Sequence, residues 1–336
     1  MPFIPDTPDD IDNMLAYIGA SDMETLFAEI PKPIRYHQEL DIKSFEDECA
    51  LSHHGQDQAG QDHVMSSFVD AGAYDHFIPA AIWQQVSRGE WLTAYTPYQA
   101  EASQGALQMI YEYQSMMCSL LDMEVSNASM YDGSSALVEA IFMAARIHKS
   151  KNPQVTIFGT LSPAYRQVLD TFFPLQSIAY QVLPIENYSD TQQALAAIDP
   201  ESNIYVLQQP CFLGQVQNWQ PYMEKAQTQS ACTIALVNPL AMAYLEPPGR
   251  WGKNEEGVDI VCGEAQSLGV PLSFGGPYLG FLACKKKHVR QIPGRIVGKS
   301  KDRHHNTAYC LTLQAREQHI RRGKATSNIC TNQGLL

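Results

Sequence analysis

Four stretches of the chain combine residue types and spacings that can do chemistry. Tyr131-Asp132-Gly133-Ser134-Ser135 lies between a short strand-like piece at 125–128 and a helical run. Small residues at a helix start expose backbone N–H groups, and the Ser134 and Ser135 hydroxyls add donors. The stretch therefore suits a phosphate, and equally an ordinary helix cap. Gln208-Gln209-Pro210-Cys211-Phe212-Leu213-Gly214 follows an apolar run and offers either polar groups to a ligand or a plain turn. Residues 258–283 run from a buried strand through Glu264-Ala265-Gln266 to Gly275-Gly276-Pro277. Those glycines permit a tight turn or a close approach of backbone to ligand. No lysine occurs between Lys253 and Lys285. The fourth stretch, 91–104 (WLTAYTPYQAEASQ), is dense in Tyr, Thr, Pro and Gln and reads as a loop that ends in a helix start.

The elements that position these stretches follow from periodicity. Apolar spacing predicts buried helices over 105–123 and 133–149. Beyond them strands alternate with helices: strands at 154–158, 177–183, 204–207, 232–237, 258–262 and 279–284, helices at 163–172, 190–198 and 219–227. That alternation predicts an α/β fold with a mostly parallel sheet flanked by helices, whose ligands sit at the carboxyl ends of the strands. The first ninety residues lack strand-like alternation and read as a helical arm. Thr7 and Pro8 mark one helix start, Ser21 and Glu24 a capping-box pattern, and Ser44 a third start.

Composition narrows the function classes. The 336 residues carry a net charge of −13, which argues against nucleic acid. Residues 285–324 go against this trend, with twelve Lys/Arg and only Asp302 and Glu317 as acids, a net of +10. Such a block attracts a phosphate or an acidic partner, or is simply solvated surface. Eight scattered cysteines without a C-x-x-C pair read as buried thiols. His53-His54 and His304-His305 lack the spacing of a helical metal site, so no metal is expected. No signal peptide or bilayer-spanning stretch is evident, so a cytoplasmic chain with no membrane partner is expected.

Thr93 to Glu101, Asn127 to Glu139, Gly263 to Pro277, and Arg316-Glu317-Gln318-His319-Ile320-Arg321-Arg322 continuing through Lys324 to Thr331 together carry a resemblance. Over essentially its whole length the chain resembles the N-terminal subunit, or N-terminal half, of the glycine decarboxylase P protein family of the glycine cleavage system. The resemblance implies a fold-type I, pyridoxal-phosphate-transferase-like large domain at 91–320. It also implies a helical arm at 1–90 and, at 321–336, the start of a small C-terminal domain. Family members run on into that domain, so a truncated product is expected from the end at Leu336.

Only the C-terminal half or partner subunit of the family carries the cofactor lysine. Aligning the Gly-rich loop on Pro271 and Gly275-Gly276-Pro277 places Gln266 where that lysine would be. The resemblance thus implies pyridoxal phosphate anchored on a lysine-bearing subunit 2, and here only a vestigial pocket around Ser134, Ser135 and Gln266. It implies glycine as substrate, transfer of the aminomethyl group to the lipoyl arm of H protein, and a heterotetramer built as a dimer of heterodimers. On this reading 95–103 reaches into the partner's active site. Tyr95 lies near the cofactor, Glu101 handles a proton if partly desolvated, and Thr96, Tyr98 and Ser103 face the substrate or lipoyl arm. The alternative for the loop is interface packing alone. For the chain, the alternatives are a non-catalytic scaffold or regulatory pseudoenzyme subunit, or an autonomous enzyme using Lys299 or Lys324, which the missing lysine opposes. The basic 285–324 segment is expected to dock H protein or contact the partner.

Overall fold

The structure is a computed structural model, and it describes every residue except 1–5, 37, 39, 64, 70, 93–96, 327, 328, 330–332, 334 and 335. The chain divides into two compact units, Met1–Ser66 and Ser67–Leu336. Residues 67–90 therefore belong with the unit that holds the sheet, whereas the sequence grouped them with the arm.

The first unit carries α1 (Pro8–Ile18), α2 (Met23–Leu26) and α3 (Glu48–Ala59). Thr7 caps α1 in a capping box with Asp10. The other two starts differ from expectation. Asp22, not Ser21, caps α2, its carboxylate accepting from Thr25 N at 2.8 Å. Asp47, not Ser44, caps α3 by accepting from Ala50 N at 2.7 Å. In both cases a charged acceptor beside the macrodipole displaces a nearby hydroxyl.

In the second unit, α4 (Ala80–Val86) and α5 (Gln104–Leu121) precede the sheet strands. These are β1 (Val125–Ser126), β2 (Gln154–Phe158), β3 (Ala179–Leu183), β4 (Ile204–Gln209), β5 (Cys232–Val237), β6 (Ile260–Glu264) and β7 (Gly280–Cys284). Their order is β1-β7-β6-β5-β4-β2-β3. Pairs among β2 to β6 are parallel, while β7 is antiparallel to both β6 and β1. Helices α6 (Gly133–His148), α7 (Pro163–Phe172), α8 (Thr191–Ala196) and α9 (Gln220–Thr228) connect the strands.

β4 and β5 are buried along their whole length, as expected of strands covered on both faces. Alternate residues serve two cores. Val206, Ile234 and Cys262 pack with α6 and α7 on one face. Tyr205, Leu207, Ala235 and Val261 pack with α5 and α9 on the other. α5 turns Leu107, Ile110, Gln114, Met117 and Leu121 inward, a three- and four-residue spacing that fixes its buried stripe. No helix of the described residues is long and apolar enough to cross a membrane.

The sequence did not announce the last element, a hairpin of β8 (Val297–Lys301) and β9 (Thr307–Leu311) ahead of the short α10 (Gln318–Arg321). Two glutamines of α5 hold it. The Gln114 amide exchanges bonds with both backbone groups of Val297, at 2.9 and 3.0 Å. Gln104 does the same for Tyr309, at 2.8 and 2.9 Å.

Candidate functional site

Two regions gather the residues singled out by sequence. The first is the carboxyl end of β6 beside the start of α6. Asp132 caps α6: its Oδ1 accepts from Ser135 N and from Ser134 Oγ, both at 2.7 Å, and Ser135 Oγ accepts from Asp132 N at 3.1 Å. The seat that a phosphate would take is already filled by a carboxylate. Glu264 Oε2 accepts from Gly133 N at 2.8 Å, while Oε1 accepts from Leu279 N at 2.9 Å and Gln266 N at 3.0 Å. Burial pushes the Glu264 carboxyl above its ordinary value, against the pull of these three N–H groups and with a further push from Asp132. There is no spare room. A Cβ on Gly133 would run into the Tyr165 hydroxyl and the Glu264 side chain. Tyr165 is partly buried; desolvation of its hydroxyl, and then Glu264, hold its phenol far above the usual range as a neutral hydroxyl.

Gln266 is completely buried and fully bonded. Its Nε2 donates to Val270 O at 2.7 Å and Tyr74 O at 3.0 Å, and its Oε1 accepts from Tyr74 N at 2.8 Å. The amide thus mimics a strand neighbour for Tyr74 and ties that segment to the sheet unit. Pyridoxal phosphate needs an amine to anchor its aldehyde and donors or cations for its phosphate. Here it would meet a saturated amide and two carboxylates. These residues do not fit the group. Lys299 lies exposed on the hairpin and Lys324 exposed after α10, neither at this edge of the large sheet. Gln208 and Gln209 end β4, and the chain turns just beyond them at Phe212 and Leu213: Gln208 Nε2 donates to Gly159 O at 3.1 Å, and Gln209 Oε1 accepts from Trp219 Nε1 at 3.1 Å.

The second region is the loop leading into α5. Tyr95 and Thr96 lie outside the described residues. Tyr98 is half exposed, and its ring lies 4.7 Å from the Arg295 guanidinium, which also donates to the Tyr98 hydroxyl. Ser103 is the N-cap residue of α5 and makes no side-chain cap bond. Glu101 is exposed, so among the described residues nothing supplies the desolvation that a proton-handling role asks for; a covering partner surface would have to.

The basic segment does not form one surface. Lys285, Lys287 and His288 surround Asp259, at 3.7, 3.1 and 3.2 Å. Arg295 and Glu317 form an ion pair at 3.1 Å with both residues buried, and Arg316 is buried donating to backbone carbonyls. Lys299, Lys301, Arg303, Arg321, Arg322 and Lys324 remain exposed. Sequence reasoning missed the Glu264 seat and the Arg295–Glu317 pair. An arginine inside the apolar run Ile292-Pro293-Gly294-Arg295-Ile296-Val297 was the available signal for the latter.

A seven-stranded sheet of this order, antiparallel only around β7 and covered by helices on both faces, is the α/β architecture of the pyridoxal-phosphate-dependent transferase type. Residues 1–336 match the glycine cleavage system P-protein family, and the chain belongs to that family. A protein of Legionella pneumophila described as probable glycine dehydrogenase (decarboxylating) subunit 1 is 50% identical over 344 residues, covering 100% of this chain and 74% of the relative. One of the same description from Thioalkalivibrio sulfidiphilus is 50% identical over 340 residues, covering 100% and 75%. The crystal structure of a glycine decarboxylase (P-protein) of the glycine cleavage system, in inhibitor-bound form, superposes with a TM-score of 0.83 at 39% identity, over 100% of this chain and 74% of that one. A Burkholderia pseudomallei sphingosine-1-phosphate lyase, 12% identical with a TM-score of 0.56 over 90% of this chain, shares the fold.

Proposed function

We propose that this chain is subunit 1 of a two-subunit glycine decarboxylase of the glycine cleavage system, an oxidoreductase active only with a lysine-bearing subunit 2. The observation that carries this reading is the state of Gln266 and Glu264, which leaves this chain unable to anchor the cofactor, within a chain half identical to relatives described as subunit 1. Pyridoxal phosphate, held by the partner, supplies the electron sink for loss of carbon dioxide from glycine. The aminomethyl group then passes to the lipoyl arm of H protein, in a cytoplasmic heterotetramer.

This chain contributes position and polar groups. The loops after β4, β5 and β6 carry exposed Leu213, Leu240, Tyr244 and Phe274, apolar surface that favours a covering partner. On assembly the loop 95–103 faces the partner's site. Tyr95 lies beside the cofactor, Glu101 becomes desolvated and exchanges a proton, and Thr96, Tyr98 and Ser103 border the substrate.

Mixing this chain with subunit 2, pyridoxal phosphate and H protein should release carbon dioxide from glycine, and neither chain alone should. Within the assembled enzyme, Glu101→Gln is expected to lower kcat about 10²-fold, the order of a lost acid–base group, with assembly unchanged. Tyr95→Phe is expected to lower it less. Full activity in both variants would leave the loop as interface packing and the chain as a scaffold.

A further inference from the structure

Arg295 is 5% exposed, and three of the stretches that distinguish this sequence meet on it. From the loop before α5, Tyr98 lays its ring against the guanidinium and accepts from Nη2. From the turn after β1, Ala128 N donates to Arg295 O at 2.8 Å, and Asn127 Nδ2 donates to Pro293 O at 3.0 Å. From the segment before α10, Glu317 pairs with Nη1 at 3.1 Å, and Arg316 donates to Gly294 O at 3.1 Å and to Ile292 O. Folding alone requires that a buried guanidinium have an acid, and Glu317 provides it. It does not require that the flat face and a second nitrogen of the same group engage a half-exposed tyrosine.

The loop has a second anchor. Gln104 Nε2 donates to Ala100 O at 2.7 Å while the same amide holds Tyr309 of the hairpin. Within the loop, Ala102 N and Ser103 N both donate to Gln99 O, at 3.1 and 3.0 Å. Exposed Glu101 thus sits between one anchor at Tyr98 and another at Ala100 and Gln104. We infer that Arg295, braced by Glu317, is a positioning residue that fixes the loop 97–103 and so aims Glu101 in the assembled enzyme. This rests on the reading that the loop serves the partner's active site. The flat face and the divergent donors of a guanidinium are both used, so lysine keeps the charge for Glu317 but cannot hold Tyr98.

The test uses Arg295→Lys and, in case that variant folds poorly, Tyr98→Leu, which leaves the buried ion pair intact. Each is assembled with subunit 2 and read by amide hydrogen exchange and by steady-state kinetics. The expected result is about tenfold faster exchange at Ala102 and Ser103 and unchanged exchange in the middle of α5 in both variants, and, in Arg295→Lys, a kcat about tenfold lower at unchanged glycine KM. Unchanged loop exchange in both variants would overturn the inference. Faster exchange with full kcat would overturn the aiming role. The reading beneath it would then be decided separately: loss of activity in Glu101→Gln keeps that reading, and full activity there removes it.

Discussion

The carboxyl edge of β6 and the loop that leads into α5 treat their polar groups in opposite ways. At the first, Asp132, Glu264 and Gln266 are saturated by partners within the chain: Glu264 with three backbone N–H groups, Gln266 with Tyr74 and Val270. At the second, Glu101 is left in solvent while the residues on either side of it are held. A site with every donor and acceptor already matched binds nothing without losing what it has, since each buried group left unsatisfied costs about 1–3 kcal/mol. A held loop with an exposed carboxylate is equipped to act on a molecule that arrives from outside. Under the proposed function, the contrast explains how a chain can keep the architecture of a cofactor enzyme and act through a partner.

The largest expected effect on this contrast comes from below the loop. Glu317→Leu leaves Arg295 charged, buried and without its acid, and should cost about 3–5 kcal/mol of stability in denaturant unfolding. A loss below about 1 kcal/mol would mean that water or the loop compensates. Next in size, Gln266→Ala removes the bonds to Tyr74 and Val270 and should cost about 2 kcal/mol, while the activity of whatever assembles with subunit 2 stays unchanged. A fall in kcat with assembly intact would show that the closed edge takes part in the reaction.

The smallest effect concerns the two ends of one strand. Asp259, just before β6, is partly buried, but Lys285 and Lys287 outweigh that burial and hold its carboxyl below the ordinary value. Its stabilisation is present above the ordinary carboxylate range and is lost as pH falls through the depressed folded value. Glu264, at the other end, is raised by burial, so its ionisation costs stability at neutral pH, and acid relieves that cost. Asp259→Asn should therefore destabilise by about 1 kcal/mol at neutral pH, given the partly exposed lysines, with the difference closing as pH drops below the ordinary carboxylate range. A difference independent of pH would assign the loss to packing instead of charge.

Much of the architecture was legible because the strands are covered on both faces. Apolar and β-branched runs gave β2 and β5 with their observed ends, and Pro163 marked the start of α7. The hairpin β8–β9 was not, because Lys299, Ser300 and Lys301 face solvent and its hold comes from Gln104 and Gln114, 205 and 183 residues earlier in the chain than the residues they bind. The absence of a cofactor lysine could be read directly from residues 254–284. The carboxylate in the anion seat could not, since Glu264 reaches Gly133 across a sequence gap of 131 residues. In sequence, Glu317 and Arg295 read as part of a basic block open to an acidic partner or to solvent, because sequence reports charge but not the burial that turns two charges into a brace.

The most direct measurement of the central claim is borohydride reduction of the assembled two-subunit enzyme with pyridoxal phosphate, followed by the intact mass of each chain. The account predicts the reduced cofactor adduct on subunit 2 alone, with the mass of this chain unchanged and carbon dioxide release lost in step. An adduct of one cofactor per copy of this chain would contradict it, because a lysine here would then be reaching the cofactor that Gln266 and Glu264 exclude.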